Sequence, residues 1–210
     1  MLSASAAFQR LRDGNQRFAA GTPIRDTLSS RVRRARVADS QSPIAAILGC
    51  SDSRVPVEIV FDQGLGDLFV IRVAGNIVAP SQIGSVEFAA ELFGTRLVVV
   101  LGHSGCGAVL ATLQQLQQAA ANPSRNIHSI MERIRPAVEG LLTTELPHDP
   151  DVLLQRAVRA NIRASVDQLR RGSPLIESLT QNAGLLVVGA EYSLETGVVD
   201  FFDSAPPADE

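Results

Sequence analysis

The chain contains no lysine and no tryptophan, one tyrosine and two cysteines among its 210 residues. Without lysine, all 19 basic side chains are arginine, which by itself selects no function. No apolar run approaches the roughly 20 residues needed to cross a bilayer, so no membrane partner is expected. Met1-Leu2-Ser3-Ala4 is not a basic stretch leading into an apolar one, and a secretory signal is not expected either. The net charge of -3 gives no general attraction to nucleic acid or to anionic membrane. What remains is an ordinary globular composition, 45% hydrophobic and 20% charged. Its length fits one domain, residues 1–210, with a core of its own. Two cysteines allow one disulfide at most. Both Cys50 and Cys106, however, lie in metal-type contexts, which favours reduced thiolates and a cytoplasmic setting.

The pattern of apolar residues divides the chain into an N-terminal helical arm, residues 1–40, and an α/β core, residues 41–210. Ser5 to Ala19 reads as an amphipathic helix with Phe8, Leu11 and Phe18 near one face, ended by Gly21-Thr22-Pro23. Arg31 to Asp39 reads as a second, exposed helix. Ile44–Leu48, Leu68–Val73, Leu97–Leu101 and Leu185–Ala190 are short apolar runs of the kind that form strands buried on both faces. Val198–Phe202 is a further edge strand. Between them, Ile83–Phe93, Gly107–Leu116 (continuing towards Asn122-Pro123), Asn126–Leu142 and Val152–Arg171 read as helices. This alternation predicts a mostly parallel central sheet of about four to five strands flanked by helices. Cys50 follows the first strand and His103 the third. Open α/β sheets bind ligands at the carboxyl ends of their strands, so both should reach one edge.

Cys50-Ser51-Asp52-Ser53-Arg54 and His103-Ser104-Gly105-Cys106-Gly107 bring together two thiols, an imidazole and a carboxylate, a tetrahedral zinc set. Cys106 falls in the first turn of a helix, where backbone N–H groups favour a thiolate. Zn²⁺ with two thiolates and a neutral imidazole is formally neutral; Asp52 as fourth ligand closes the site, and water in its place leaves it open. Arg54 is two residues from Asp52 and on the same side of an extended segment. A guanidinium fork would compete with the metal for that carboxylate. Other readings stand beside this one. The cysteines can be plain buried apolar residues, Asp52–Arg54 a surface ion pair, and the zinc a structural staple. A Cys–His nucleophile lacks a third orienting group. Three residues between Cys50 and Arg54 are too few to wrap a phosphate. Gly64-Leu65-Gly66 reads as a turn, and His128 and His148 receive no role.

The two motifs, together with Asp67-Leu68-Phe69-Val70-Ile71-Arg72-Val73-Ala74-Gly75-Asn76 and Leu11-Arg12-Asp13-Gly14-Asn15-Gln16-Arg17-Phe18, resemble the β-class carbonic anhydrases over nearly the whole chain. The resemblance implies zinc held by Cys50, His103 and Cys106, and a catalytic dyad of Asp52 and Arg54. Asp52 would orient the zinc-bound water or replace it as fourth ligand in a closed state. It further implies a homodimer or higher even oligomer with the N-terminal helices laid over the partner. By offset, Gln41 falls on a substrate-binding amide, and Phe69 and Phe88 on an apolar pocket wall. Some members bind bicarbonate at a non-catalytic pocket containing Trp and Arg. Arg72 matches the Arg, but Ile47 stands at the Trp position, so that gating is not carried over. The implied activity is reversible hydration of carbon dioxide to bicarbonate and a proton by zinc-bound hydroxide. The alternatives are hydrolysis of carbon disulfide or carbonyl sulfide on the same scaffold, or a non-enzymatic zinc-stabilised dimeric binding protein.

Overall fold

In the computed structural model, residues 2–24, 30–117, 124–143 and 149–203 are described. Five strands form one sheet: β1 (Ala45–Gly49), β2 (Leu68–Arg72), β3 (Leu97–His103), β4 (Leu186–Tyr192) and β5 (Val199–Asp203), in the order β2-β1-β3-β4-β5. All neighbours are parallel except β4 and β5, which are antiparallel across the short turn at Glu195-Thr196-Gly197. Every residue of β1 and β3 is buried. Their side chains alternate between two apolar layers: Ala46, Leu48, Val98 and Val100 face one, and Ala45, Ile47, Leu97, Val99 and Leu101 the other. Two buried faces explain why these strands read as unbroken apolar runs.

The first layer is closed by α4 (Pro80–Leu92), α5 (Gly107–Gln117), α6 (Arg125–Val138), α7 (Pro150–Arg171) and α8 (Pro174–Asn182). The second is closed by α1 (Ala4–Ala19) and the four-residue α3 (Val57–Val60). The sequence reading passed over α3 and α8. The first is too short to show a period. The second carries a readable start, Ser173 capping the Ile176 N–H with Pro174 at the first helical position. The continuation of α5 towards Asn122-Pro123, and His148, lie outside the described residues. No described helix is long and apolar enough to cross a membrane.

The N-terminal motif has a clear structural use. Ala7, Phe8, Leu11, Gly14 and Asn15 form the buried stripe of α1. At Gly14 a Cβ would come 1.9 Å from the Phe61 carbonyl oxygen, so only glycine lets the helix lie this close. Asn15 then donates to the carbonyls of Val60 (3.1 Å) and Gly197 (2.9 Å) and accepts from the Val199 N–H (2.8 Å). Arg17 pairs with the buried Asp62 at 2.6 Å. The apolar stripe of α1 is thus closed by its own chain. The second helix, α2 (Arg31–Val37), buries no residue and is tied down by Arg33, which reaches the Leu65 carbonyl and Asp67.

Asn15 serves three backbone groups of two distant segments. Asn15→Ala leaves them without partners and is expected to cost about 2–3 kcal/mol in chemical denaturation. A loss below about 0.5 kcal/mol would show that the clamp is dispensable.

Candidate metal centre

Parallel strands deliver their carboxyl ends to one edge, and the register sets the levels. Gly49, the last residue of β1, pairs with Leu101 of β3 and Arg72 of β2. Cys50 thus emerges one step beyond Gly49 and level with Gly102, beside His103. Cys106 precedes α5, with its carbonyl accepting from Leu110 N–H at 3.0 Å in the first turn. One donor atom each from Cys50, His103 and Cys106 lie within 4.8 Å of one another, and all three residues are buried.

The imidazole is prepared as a ligand. His103 Nδ1 lies 2.9 Å from the Ser104 carbonyl, a contact that only a protonated Nδ1 makes. The lone pair is then on Nε2, which is buried with no hydrogen-bond partner. Ser104 itself is fixed to the end of β4: its N–H donates to the Tyr192 carbonyl, and its hydroxyl accepts from Leu194 N–H. A buried nitrogen lone pair facing two sulfurs fits a zinc ion's preferred donors.

The thiols are unequal. The Cys106 S–H directed at the Cys50 sulfur, with His103 and the Asp52 and Gly75 backbones, brings Cys50 from the ordinary 9.0 down to about 4 against the effect of burial. Cys106, as donor in that pair and buried, is pushed well up, although the Val109 and Ala108 N–H groups of the first turn pull the other way. Burial opposes charge on His103, but the Cys50 sulfur, the Ser104 carbonyl and Asp52 together outweigh it and raise its pKa. A cation placed among the three atoms makes both sulfurs thiolates at once.

Asp52 stands beside this group without joining it. Arg54 grips both carboxylate oxygens, Nε to Oδ1 at 2.9 Å and Nη2 to Oδ2 at 2.7 Å, and the Arg54 N–H adds a third contact at 3.0 Å. The guanidinium holds the Asp52 carboxyl far below the usual carboxylate range. Oδ2 remains 3.7 Å from His103 Nε2. Arg72 braces the loop from beneath, donating to the Cys50 carbonyl at 3.0 Å and the Asp52 carbonyl at 2.6 Å.

The pocket residues of the sequence reading are elsewhere. Phe69 pairs with Ala46, four residues before Cys50, hence about 13 Å away along the strand at 3.3 Å per residue. It stacks on Phe88 at 6.1 Å, and both meet Phe93. Gln41 is exposed and precedes β1, on the amino side of the sheet. Within one chain these three do not join the group at the carboxyl edge. His128 is on the surface of α6, 3.5 Å from Glu132. The sequence reading missed Asn161 and Ser165, which bond the Gly75 and Asn76 carbonyls. Two polar residues four apart inside the apolar face of α7 were the available signal.

Comparison with known proteins gives one consistent result. A family model described as carbonic anhydrase matches residues 45–199. A carbonic anhydrase of Mycolicibacterium smegmatis is 38% identical over 195 residues, covering 93% of this chain and 91% of that protein. The β-carbonic anhydrase CafA of Aspergillus fumigatus superposes with a TM-score of 0.73 at 26% identity, covering 82% of this chain and 81% of the other. A tetrameric β-carbonic anhydrase of Sordaria macrospora shares the fold, with a TM-score of 0.72, 22% identity, and coverage of 94% and 97%.

Donation to the Cys50 sulfur and burial hold the Cys106 proton in place, and a thiol must lose its proton to ligate zinc. Zinc uptake is therefore expected to release at least one proton, and affinity to rise with pH. Calorimetry in buffers of different ionisation enthalpy measures the number; a value of zero would remove Cys106 from the ligand set.

Proposed function

The chain belongs to the β-carbonic anhydrase family, and from that premise we propose how its residues divide the work of the family's reaction, the reversible hydration of carbon dioxide to bicarbonate and a proton. It is a zinc-dependent lyase, with Cys50, His103 and Cys106 as the metal-binding group. When bound, zinc supplies the Lewis acidity that makes water a nucleophile near neutral pH.

Asp52 and Arg54 are the catalytic pair. The observation that carries this reading is the two-pronged Arg54 contact, which engages the carboxylate 3.7 Å from the metal-binding nitrogen. A carboxylate held ionised only accepts hydrogen bonds. Asp52 therefore takes the O–H of the nucleophile and turns its lone pair towards the substrate carbon. The same fork keeps Asp52 out of the fourth ligand position, so Arg54 selects the open form of the site over the closed one.

Gln41, Phe69 and Phe88 complete the pocket from a second copy of the chain. Carbon dioxide is apolar and needs an apolar wall, while the carboxyl edge of one chain lacks these three residues. What supports delivery from a partner is the exposure of Gln41 and Phe88: Phe88 is 48% exposed although stacked on the half-buried Phe69, and Leu92 on the same helix is 62% exposed. Helix α2, held to its own chain through Arg33 but burying no residue there, is the part of the arm that lies over that partner. The assembly is a homodimer or a higher even oligomer. Both thiols are free, and zinc binding needs them reduced, which fits the cytoplasm.

Stopped-flow hydration with a pH indicator tests the activity. Asp52→Asn is expected to lower kcat/KM by about 100-fold or more with zinc content unchanged; full activity would refute the pair. Release of hydrogen sulfide from carbonyl sulfide, with no carbon dioxide hydration, would reassign the substrate. Mixing Cys50→Ser with Gln41→Ala chains tests the shared pocket. A hybrid dimer regains one intact site if Gln41 acts on the partner, and regains none if it acts on its own chain.

A further inference from the structure

The Cys50 sulfur accepts a hydrogen bond from the Gly75 N–H at 3.3 Å. The donor belongs to an uncommon turn, with Gly75 at φ +69° and Asn76 at φ +43°, two successive left-handed residues. Such a conformation costs a non-glycine residue roughly 1–3 kcal/mol and persists only where the surroundings impose it. The positive φ at position 75 favours glycine, and a Cβ there would come 2.8 Å from Ile134 Cδ1 and 3.2 Å from Ala108 Cβ, so the neighbours would have to shift.

Helix α7 imposes the turn. Asn161 Nδ2 donates to the Gly75 carbonyl at 2.8 Å, and Ser165 Oγ donates to the Asn76 carbonyl at 3.1 Å. The two residues are four apart, one above the other on a single helix face. Both are buried, among Val158, Ile162 and Val166. Polar groups in such a face are unfavourable unless bonded, and these two are used on consecutive carbonyls of one turn. None of the hydrogen bonds found for Asn161 or Ser165 goes to Cys50, His103, Cys106, Asp52 or Arg54.

We propose that Asn161 and Ser165 are positioning residues for the metal centre: by gripping the Gly75–Asn76 turn they aim the Gly75 N–H at the Cys50 sulfur and so limit the charge that thiolate gives to the metal. This deepens the zinc reading above and rests on it. An N–H bond to sulfur draws electron density off the thiolate, as hydrogen bonds around metal ligands generally tune the ion they surround. A site with two thiolates has more donated charge to restrain than one built of imidazoles. Residues 86 and 89 positions away from the carbonyls they hold thereby adjust the Lewis acidity at a centre they never touch.

The test uses the full-length protein with Co²⁺ in place of zinc and reads the sulfur-to-cobalt charge-transfer band. Asn161→Asp keeps the shape but loses the donor, and Ser165→Ala loses one hydroxyl. In each the band is expected to shift to lower energy, and further in the double variant. Val158→Ala, in the same helix but facing the apolar core, is expected to lower the Tm and leave the band in place. The proposal is overturned if Asn161→Asp and Ser165→Ala lower the Tm as Val158→Ala does while the band stays at the wild-type energy. If Asn161→Asp does not fold, the band position of Ser165→Ala alone decides between the two outcomes. Absence of any sulfur-to-cobalt band in the wild-type protein would instead overturn the metal centre, and this inference with it.

Discussion

Concentrating negative sulfur in a dry place is the problem around which this fold is organised. Cys50, His103 and Cys106 are buried side by side, where charge is costly without partners. The answer here is a ring of N–H groups: Gly75 on the Cys50 sulfur and the first turn of α5 on Cys106. A cation completes it. The fold then needs three loops to hold fixed positions at once, and each is tied to a different neighbour. Arg72 of β2 holds the Cys50 loop, the end of β4 holds Ser104, and α7 holds the Gly75 turn.

The two layers of the sheet both support the metal group. The layer of α4 to α8 includes Cys50 and Cys106. The layer of α1 and α3 includes Tyr192 and Leu194, which fix Ser104, and is closed through Phe8, Leu11 and Asn15. The carboxyl edge binds metal, while the amino side displays Gln41, Phe69 and Phe88. Under the shared-pocket proposal, a chain with these groups at opposite ends of one sheet is incomplete alone, and oligomerisation gains a chemical purpose beyond stability.

What can be read from the sequence follows from range. Cys50 and Cys106 declare themselves because each metal ligand sits within a few residues of a strand end, and buried strands announce themselves as apolar runs. Asp52 and Arg54 are legible because their contact spans two residues. The Gly75–Cys50 bond joins positions 25 apart, and Asn161 reaches back 86 residues to Gly75. No local pattern encodes such pairings; they exist only once α7 is laid on the sheet. Gln41 is singled out by offset alone, and its order in the chain, before the strand that Cys50 follows, already places it at the opposite end from the site. The arm is half legible for a similar reason. The amphipathic face of α1 is plain, while the surface that covers it comes from Val60, Phe61 and the turn at Gly197.

The strand order carries a consequence for biosynthesis. The central strand β3 pairs with β1 on one side and with β4 on the other, and β4 begins only at Leu186. A chain emerging from the ribosome amino end first has made all three metal ligands by residue 106. Yet one side of β3 stays an unpaired edge until β4, roughly 80 residues further on, is translated. Exposed apolar edges invite pairing with other chains. The nascent protein therefore passes through an interval in which its future centre is its stickiest surface, ended only when β4 slots beside β3 and α7 closes over the finished turn.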